Sequence, residues 1–171
     1  GTLALFKLSK AKKGCIAIKE DKKKQIEDLK KTFEGTPIEI RTVPNIYPMG
    51  WERTLVYELT GKRYNMLPIE AGMILNNAST AIALGNAIDN GMPITHKYVT
   101  VSGDALKDPK NVYVPVGTKT HEIIEAVGGY KEGVDNVLLI AGGPMMGRTI
   151  PNDAFVIAPQ NNGLTVLINK E

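Results

Sequence analysis

The segment that decides the fold reads Gly72-Met73-Ile74-Leu75-Asn76-Asn77-Ala78-Ser79-Thr80, and a helical pattern continues from it to Asp89. A short apolar run ends at two asparagines, and Ser79 or Thr80 is expected to cap the following helix. Ala81, Leu84 and Ile88 recur at spacings of three and four, which predicts one shared buried face. Such a helix N-terminus can hold an anion, although these residue types are also common as simple caps.

Composition limits the classes of protein to consider. The 171 residues are 43% hydrophobic and 23% charged, which is typical of one ordinary or two small soluble domains. No apolar run approaches the roughly 18 residues of a membrane helix, so no direct membrane insertion is expected. The net charge of +3 includes a lysine cluster between Lys7 and Lys24 without interleaved aromatic residues, which predicts a solvated face and no nucleic-acid site.

The cysteine and histidine residues predict no disulfide, no cysteine-ligated cluster and no metal site. The single cysteine, Cys15, excludes an internal disulfide framework and any cysteine-ligated cluster within this chain, and it favours a reducing compartment. Cys15 lies in an apolar run and is predicted to be a buried small hydrophobic residue. His96 and His121 have no partner at ligand spacing, so no metal site is predicted.

The first half of the chain has the pattern of a βαβ unit. Cys15–Ile18 is predicted to be a strand, and Asp21 is expected to cap the next helix. Ile38–Val43 alternates with period two and is predicted to be a second strand. Strand, helix and strand within about thirty residues imply parallel pairing. The inward helix positions are Ile26, Leu29 and Phe33.

A turn follows the second predicted strand. Two prolines and a glycine lie between Pro44 and Glu52, at the edge of a parallel sheet where ligands gather. Gly50 allows a ligand to approach the backbone closely, and Glu52 lies in the first turn of the next helix. Glu52 either complements the helix dipole or belongs to the site. Trp51 is expected to pack, and Gly61 is expected to end the helix.

The second half is predicted to be mostly strands around one short helix. Thr120 is expected to cap that helix, and Asn162-Gly163 indicates a tight turn between two strands. The glycine-rich run Gly142–Gly147 lacks the lysine and the spacing of a phosphate loop, so it predicts a structural turn. This order of elements is that of a β-grasp sheet. The predicted strands are Thr95–Ser102, Asn111–Val116, Val137–Ala141, Ala154–Ala158 and Leu164–Ile168, and the inward helix residues are Ile123, Ile124 and Val127.

Six motifs together resemble a known family. They are Tyr47-Pro48-Met49-Gly50-Trp51-Glu52, Leu59-Thr60-Gly61-Lys62-Arg63, Asn76-Asn77-Ala78-Ser79-Thr80, Val99-Thr100-Val101-Ser102-Gly103-Asp104-Ala105, Gly117-Thr118 and Gly142-Gly143-Pro144-Met145-Met146-Gly147. Their order and spacing resemble the C subunit of the Rnf electron-transport complex, a family that includes the electron-transfer protein associated with proline reductase. Both are similar to the FMN-binding, NADH-oxidising subunit of respiratory complex I. The resemblance covers nearly the whole chain.

The resemblance implies a fold and a site. The fold class is α/β plus α+β, with a partial Rossmann-like parallel-sheet unit over residues 1–93 and an SLBB β-grasp domain over residues 94–171. Asn76, Asn77 and Thr80 would hold FMN. Gly50 and Glu52 would lie near the isoalloxazine and the nicotinamide, with Glu52 as the catalytic candidate.

The resemblance also implies partners. Electrons would pass from NADH through FMN to iron–sulfur clusters located outside this chain. The parent protein is expected to be an NADH-dependent oxidoreductase that associates with other subunits of an electron-transfer complex. It is expected in the cytoplasm, with membrane association through those partner subunits.

Departures from the family pattern qualify this expectation. The family's glycine-rich loop for the FMN phosphate and its CxxCxxC clusters are absent, so we expect a central fragment that binds no cofactor by itself and is inactive alone. Trp51 stands where the wider family often has a second acid. The resemblance therefore does not predict how this chain would position the nicotinamide. Two alternatives remain: a non-catalytic docking module that has lost its flavin, and an SLBB soluble-ligand-binding domain, for which the sequence suggests no aromatic cluster.

Overall fold

The fold is seen in a computed structural model that describes residues 1–170. The chain divides into a first unit, Gly1–Gly85, and a second unit, Asn86–Glu171, and the division falls inside the helix that follows the two asparagines. The elements of the first unit are, in order, α1 (Thr2–Ser9), β1 (Gly14–Lys19), α2 (Lys23–Thr32), β2 (Ile38–Val43), α3 (Glu52–Thr60), a 3-10 turn (Pro68–Ala71) and the start of α4 (Ala78–Asn90).

The predicted βαβ unit is confirmed. β1 and β2 pair in parallel, in register from Gly14 opposite Ile38 to Lys19 opposite Val43. The predicted inward residues of α2 do face inward: Ile26 is buried, and Leu29 and Phe33 are half-buried. They lie on one side because an α-helix has a period of 3.6 residues. The fold class of this part, a two-stranded parallel sheet with helices, agrees with the sequence.

Three local predictions in the first unit are wrong. Asp21 does not cap α2; its carboxylate pairs with the Lys22 ammonium at 3.0 Å, and Lys22 takes the N-cap position without a side-chain bond. Cys15 is exposed, whereas its neighbours Gly14 and Ile16 in β1 are half-buried. Ile88 is 56% exposed, whereas Gly85 is the buried residue of α4.

The second unit forms a five-stranded sheet in the order β4-β3-β7-β5-β6. The central pair, β3 with β7, is parallel, and the other pairs are antiparallel. This mixed sheet with one helix agrees with the predicted β-grasp arrangement. Its elements are β3 (His96–Ser102), β4 (Lys110–Pro115), α5 (Thr120–Ala126), β5 (Val137–Ala141), β6 (Arg148–Ile150) and β7 (Gly163–Ile168).

The core of the second unit lies between α5 and one face of the sheet. Alternate residues of the strands point toward the helix, since successive side chains of a strand point to opposite faces. The predicted helix positions Ile123, Ile124 and Val127 are buried at 0–3% exposure. Val99, Val101, Leu139, Leu164 and Val166 pack in the same cluster from β3, β5 and β7.

Three predictions in the second unit are wrong. Residues 154–158 are not a strand; Val156 forms only a single bridge, with Lys119. Asn162-Gly163 does not turn a hairpin, because β7 pairs with β3 and β5. Thr120 does not cap α5; its buried hydroxyl donates to the Phe155 carbonyl at 2.9 Å, and the Glu122 carboxylate accepts the N–H of residue 119.

Candidate functional site

Asn77 is the cap of α4. Its side-chain oxygen accepts hydrogen bonds from the Ser79 N–H at 2.9 Å and from the Ser79 hydroxyl at 2.8 Å. Its backbone carbonyl accepts the N–H groups of Thr80 at 3.0 Å and Ala81 at 3.1 Å. The predicted cap at Ser79 or Thr80 is therefore wrong by two or three residues, because α4 begins at Ala78.

This capping bears on the anion interpretation of the helix N-terminus. The N–H groups of Ser79, Thr80 and Ala81 already have acceptors, so an anion would have to displace Asn77 to reach them. The start of α4 is therefore a poor phosphate cradle. It can still present side-chain groups to a neutral part of a ligand.

The candidate flavin residues of the Asn76–Thr80 segment are accessible. Upstream of α4 the chain alternates between half-buried and exposed residues, with Met73 and Leu75 turned inward and Ile74 and Asn76 turned outward. Asn76, Asn77 and Thr80 are all exposed. Two amides and a hydroxyl offer both donors and acceptors, which fits the polar edge of an isoalloxazine ring or a ribityl chain.

The Gly50 turn is anchored by its neighbours and open at its tip. Met49 is buried at 6% exposure, and the Thr54 hydroxyl donates to the carbonyls of Pro48 at 2.8 Å and Trp51 at 2.9 Å. Gly50 is exposed, and a Cβ added there would meet no atom within 4 Å. The fold itself does not need a glycine here, so the free space beside Gly50 fits close approach of a ligand.

Glu52 and Trp51 flank the start of α3. Glu52 is the first residue of the helix and is exposed, so its carboxylate complements the helix dipole and is also free to face a ligand. Trp51 is 43% exposed, and the Arg53 guanidinium lies 6.0 Å from its ring centroid. The expected packing role of Trp51 is therefore at most partial.

Two residues missed by the sequence analysis hold the loop between α3 and the asparagines. The Arg53 guanidinium donates to the Tyr64 carbonyl at 2.7 Å and to the Asn65 carbonyl, and it lies 4.9 Å from the Tyr64 ring centroid. The Glu70 carboxylate accepts three backbone N–H groups, from residues 65, 66 and 67, at 3.0–3.1 Å. These bonds hold the pKa of Glu70 below its usual value.

A sequence signal for Glu70 existed. Pro68 stands at the first position of the 3-10 turn and Glu70 at the third, which is the pattern of a proline start with a reciprocal acidic cap. No comparable signal marks Arg53, because its acceptors lie more than ten residues away and are backbone carbonyls.

The two halves of the candidate site are supported separately. Within residues 1–170, no hydrogen bond or ion pair joins Gly50 or Glu52 to Asn76, Asn77 or Thr80. Their grouping around one flavin is therefore a proposal. In the same part of the chain, no group of three His, Cys, Asp or Glu residues could hold a metal ion, and no helix is long and apolar enough to cross a bilayer.

The second unit carries an aromatic cluster that the sequence analysis did not expect. On the outer face of the sheet, the Tyr113 ring stacks on His96 with 5.4 Å between centroids, and it contacts the Tyr98 ring at 4.6 Å in a tilted arrangement of 41°. Tyr98 and Tyr113 stand directly opposite each other on β3 and β4, and they are 64% and 58% exposed. The cluster arises from strand pairing and is therefore invisible in sequence order.

An open groove of about 470 Å³ lies along the same face. Thr100, two residues after Tyr98 on β3, lines the groove together with the Gly142–Gly147 turn. None of the lining residues carries a charge. Its rim at Asn162 is held by the buried Lys97, whose ammonium donates to the Asn162 side chain at 2.8 Å; burial lowers the pKa of this lysine.

Comparison with known proteins identifies the class. Residues 1–86 match the family model of the Nuo51 FMN-binding domain, and residues 98–149 match the SLBB domain. The chain belongs to the Nuo51 FMN-binding domain family, and an SLBB domain follows.

Similar curated proteins include the C subunits of ion-translocating complexes. The chain is 35% identical, over its whole length, to the C subunit of the proton-translocating ferredoxin:NAD(+) oxidoreductase complex of Clostridium ljungdahlii. It is 32% identical over 80% of its length to the Na(+)-translocating counterpart of Acetobacterium woodii, and 33% identical over 92% to the cobalamin reductase PduS of Salmonella typhimurium. The resemblance to the family of Rnf C subunits is confirmed. The chain spans only 37%, 31% and 34% of these relatives.

Proposed function

We propose that this chain is part of a flavin-dependent electron-transfer subunit that oxidises NADH. The observation that carries the proposal is the exposed Asn76-Asn77 pair at the start of α4, inside a segment that matches an FMN-binding domain. The relatives named as ferredoxin:NAD(+) oxidoreductase subunits favour the same redox chemistry. Iron–sulfur clusters outside this chain would receive the electrons, since its single cysteine cannot ligate one.

Each candidate residue has a role in this proposal. Bound FMN would supply the exchange between hydride and single-electron transfer. The amides of Asn76 and Asn77 and the hydroxyl of Thr80 would orient the ring or the ribityl chain. Gly50 would leave room for the ring, and the Glu52 carboxylate would position the nicotinamide or repel a negatively charged flavin.

The test of this function uses the full-length parent protein under anaerobic conditions. NADH should bleach the visible flavin absorbance within the mixing time, and NADPH supplies the comparison for nicotinamide preference. Glu52→Gln should slow this bleaching while leaving FMN content unchanged. A parent protein that lacks flavin, or a flavin that NADH does not reduce, would contradict the proposal.

We also propose that residues 1–171 alone bind FMN weakly. The phosphate carries most of the charge of FMN, and the N–H groups at the start of α4 are already satisfied by Asn77. Fluorescence titration of this chain with FMN should not saturate in the low micromolar range. Stoichiometric binding at micromolar FMN would show that a phosphate site lies within the chain.

The remaining aspects of the proposal concern the parent. It would work with other subunits of an electron-transfer complex, on the cytoplasmic side of a membrane to which those subunits attach it. Its FMN-binding and SLBB domains would meet between residues 93 and 94. Expression of residues 1–93 and 94–171 as separate chains tests this boundary, since each should then give a cooperative unfolding transition.

A second function is favoured by the outer face of the β-grasp sheet. The exposed Tyr98 and Tyr113 rings beside an uncharged groove would form a site for an uncharged ring-bearing ligand. Riboflavin and cobalamin are suitable probes, and each can be titrated against this chain by fluorescence. Saturable binding that Tyr98→Ala removes and Tyr57→Ala retains would support a soluble-ligand site; no saturation with either probe would oppose it.

A further inference from the structure

The first unit contains a cavity beside helix α3. Its volume is about 350 Å³, which lies in the lower range of sites for small organic ligands. All of its lining residues belong to the same compact unit, Gly1–Gly85. Besides Thr54, the lining consists of Met49, Arg53, Tyr57, Glu58, Arg63 and Tyr64.

The walls of this cavity are held together by contacts within the unit. Arg53 and Tyr57 stand four residues apart on α3, so they share one side of the helix, and Glu58 follows them in the lining. The loop after α3 supplies Arg63 and Tyr64. The Arg53 guanidinium donates to the Tyr64 carbonyl at 2.7 Å and lies 4.9 Å from the Tyr64 ring centroid, which fastens this loop to the helix.

The two arginines of the cavity differ in their engagement. Arg53 is half-buried, and its guanidinium donates to two backbone carbonyls. Arg63 is exposed, and its guanidinium lies 5.2 Å from the Tyr57 ring centroid. Within residues 1–170, Arg63 forms no hydrogen bond or ion pair. Its N–H donors are therefore available to a ligand, and an exposed cation–π contact alone contributes little to the fold.

The groups around the cavity have the chemistry of nucleotide recognition. A guanidinium is a planar fork of donors that matches a phosphate, and nucleotide bases stack on tyrosine rings and on guanidinium planes. Tyr57 is 50% exposed and therefore accessible to a base. Glu58 is exposed and forms no ion pair in the described part of the chain, so its carboxylate is free to accept a hydrogen bond from an exocyclic amine.

We propose that this cavity binds an adenine mononucleotide. The phosphate would lie on the Arg63 guanidinium, the base against Tyr57, and the amine of the base toward Glu58. The buried Met49, at 6% exposure, supplies an apolar part of the lining. The volume suits one nucleotide, and a dinucleotide would extend beyond it. This site goes beyond the proposed electron-transfer function, because none of its residues is a candidate flavin residue.

Other anionic ligands fit this cavity less well. An inorganic phosphate would leave Met49 and Tyr57 without a contact, and the Glu58 carboxylate would repel it. A nucleic-acid strand is bound through many phosphate contacts. The cavity carries two arginines and one glutamate, a net charge of only +1.

The test is a calorimetric titration of the full-length, FMN-containing parent protein with adenosine monophosphate. The proposal predicts saturation at one site. Adenosine lacks the phosphate, and inosine monophosphate presents an oxygen in place of the amine, so each should bind at least about tenfold more weakly. Inorganic phosphate alone should not saturate the site.

A pair of variants places the binding in the cavity. Arg63→Gln removes the free guanidinium and leaves the hydrogen bonds of Arg53 in place. Arg148→Gln makes the same change at an exposed arginine of β6 and is the matched control. The dissociation constant for adenosine monophosphate should rise at least about tenfold in Arg63→Gln and stay within about threefold in the control. Equal affinities in the two variants, or no saturable binding, would overturn the proposal.

The outcome is separable from that of the flavin proposal. FMN content and reduction by NADH are measured on the same two variants, and neither should change. Binding of adenosine monophosphate that saturating NAD(+) abolishes would place the nucleotide in the redox site and overturn the proposal. Intact flavin chemistry without nucleotide binding removes only the cavity proposal. Binding to a parent protein that holds no flavin removes only the flavin proposal.

Discussion

Asn77 has two candidate roles that a pair of substitutions can separate. In the structure its side-chain oxygen accepts the Ser79 N–H at 2.9 Å and thereby caps α4. In the proposed function its amide also donates to the flavin. Asn77→Ala removes both the cap oxygen and the donor. Asn77→Asp keeps the cap oxygen, removes the donor and adds a negative charge.

The expected magnitudes differ between the two variants. Loss of the cap in Asn77→Ala should lower the free energy of unfolding by about 1 kcal/mol. Aspartate caps as well as asparagine, and its charge favours the helix N-terminus by about 0.3–1 kcal/mol, so Asn77→Asp should be as stable as the original. Loss of a donor that leaves a buried flavin acceptor unpaired costs about 1–3 kcal/mol, which is roughly a five- to 150-fold loss of FMN affinity.

The assay combines two measurements. Urea unfolding of the 171-residue chain, followed by circular dichroism, gives the stability of each variant. FMN content of the full-length parent after exhaustive dialysis gives the affinity effect. A stable Asn77→Asp protein that loses FMN supports the flavin role. An Asn77→Asp protein with full FMN content would refute it and leave Asn77 as a helix cap.

Three further predictions test the structure itself. Gly103→Ala should destabilise the second unit by more than about 2 kcal/mol in urea unfolding, because Gly103 has φ +132° and a Cβ there would lie 1.8 Å from the Val166 carbonyl oxygen. The backbone bonds that lower the pKa of Glu70 stabilise the folded loop above the ordinary pKa of a glutamate and are lost as the pH falls through the lowered value. In the wild-type chain, protonation of Glu70 at low pH should weaken the protection of the N–H groups of residues 65–67 against hydrogen exchange. In Glu70→Gln this pH-dependent loss of protection should be absent. Cys15 is exposed, yet partial burial raises the pKa of its thiol, so the native chain should react with one equivalent of a disulfide reagent, more slowly than free cysteine at pH 8.

The sequence predicted the elements whose signal is local. The β1-α2-β2 unit followed from one period-two run and one period-3.6 stripe, and Gly61 ends α3 in the left-handed conformation that glycine favours. The strands β3 and β4 and the inward face of α5 followed in the same way. In each case neighbouring residues carry the information.

The errors arise where tertiary contacts decide. Residues 154–158 have the alternation of a strand but find only one bridging partner, whereas Arg148–Ile150 is a strand because β5 pairs with it. The buried face of α4 does not extend to Ile88; the close contact is at Gly85 instead, where a Cβ would lie 2.9 Å from the Gly1 nitrogen. Periodicity does not report which face finds a partner.

In the candidate site, too, local sequence patterns and tertiary contacts carry different information. The family resemblance proposed Gly50, Glu52, Asn76, Asn77 and Thr80 as site residues, and all five are exposed. The supports of the site, Arg53 and Glu70, act through backbone groups of the intervening loop, which side-chain patterns do not specify. The aromatic cluster of the second unit depends on strand register and was missed for that reason.

The most direct test of the proposed flavin site is a structure of the full-length parent protein with FMN bound. In the proposed site, the segment Asn76–Thr80 forms one wall around the flavin. We therefore expect side-chain amide atoms of Asn76 or Asn77 within about 2.7–3.2 Å of polar atoms of the flavin. A flavin bound elsewhere, with both asparagines in contact only with solvent and with the first turn of α4, would contradict the proposal.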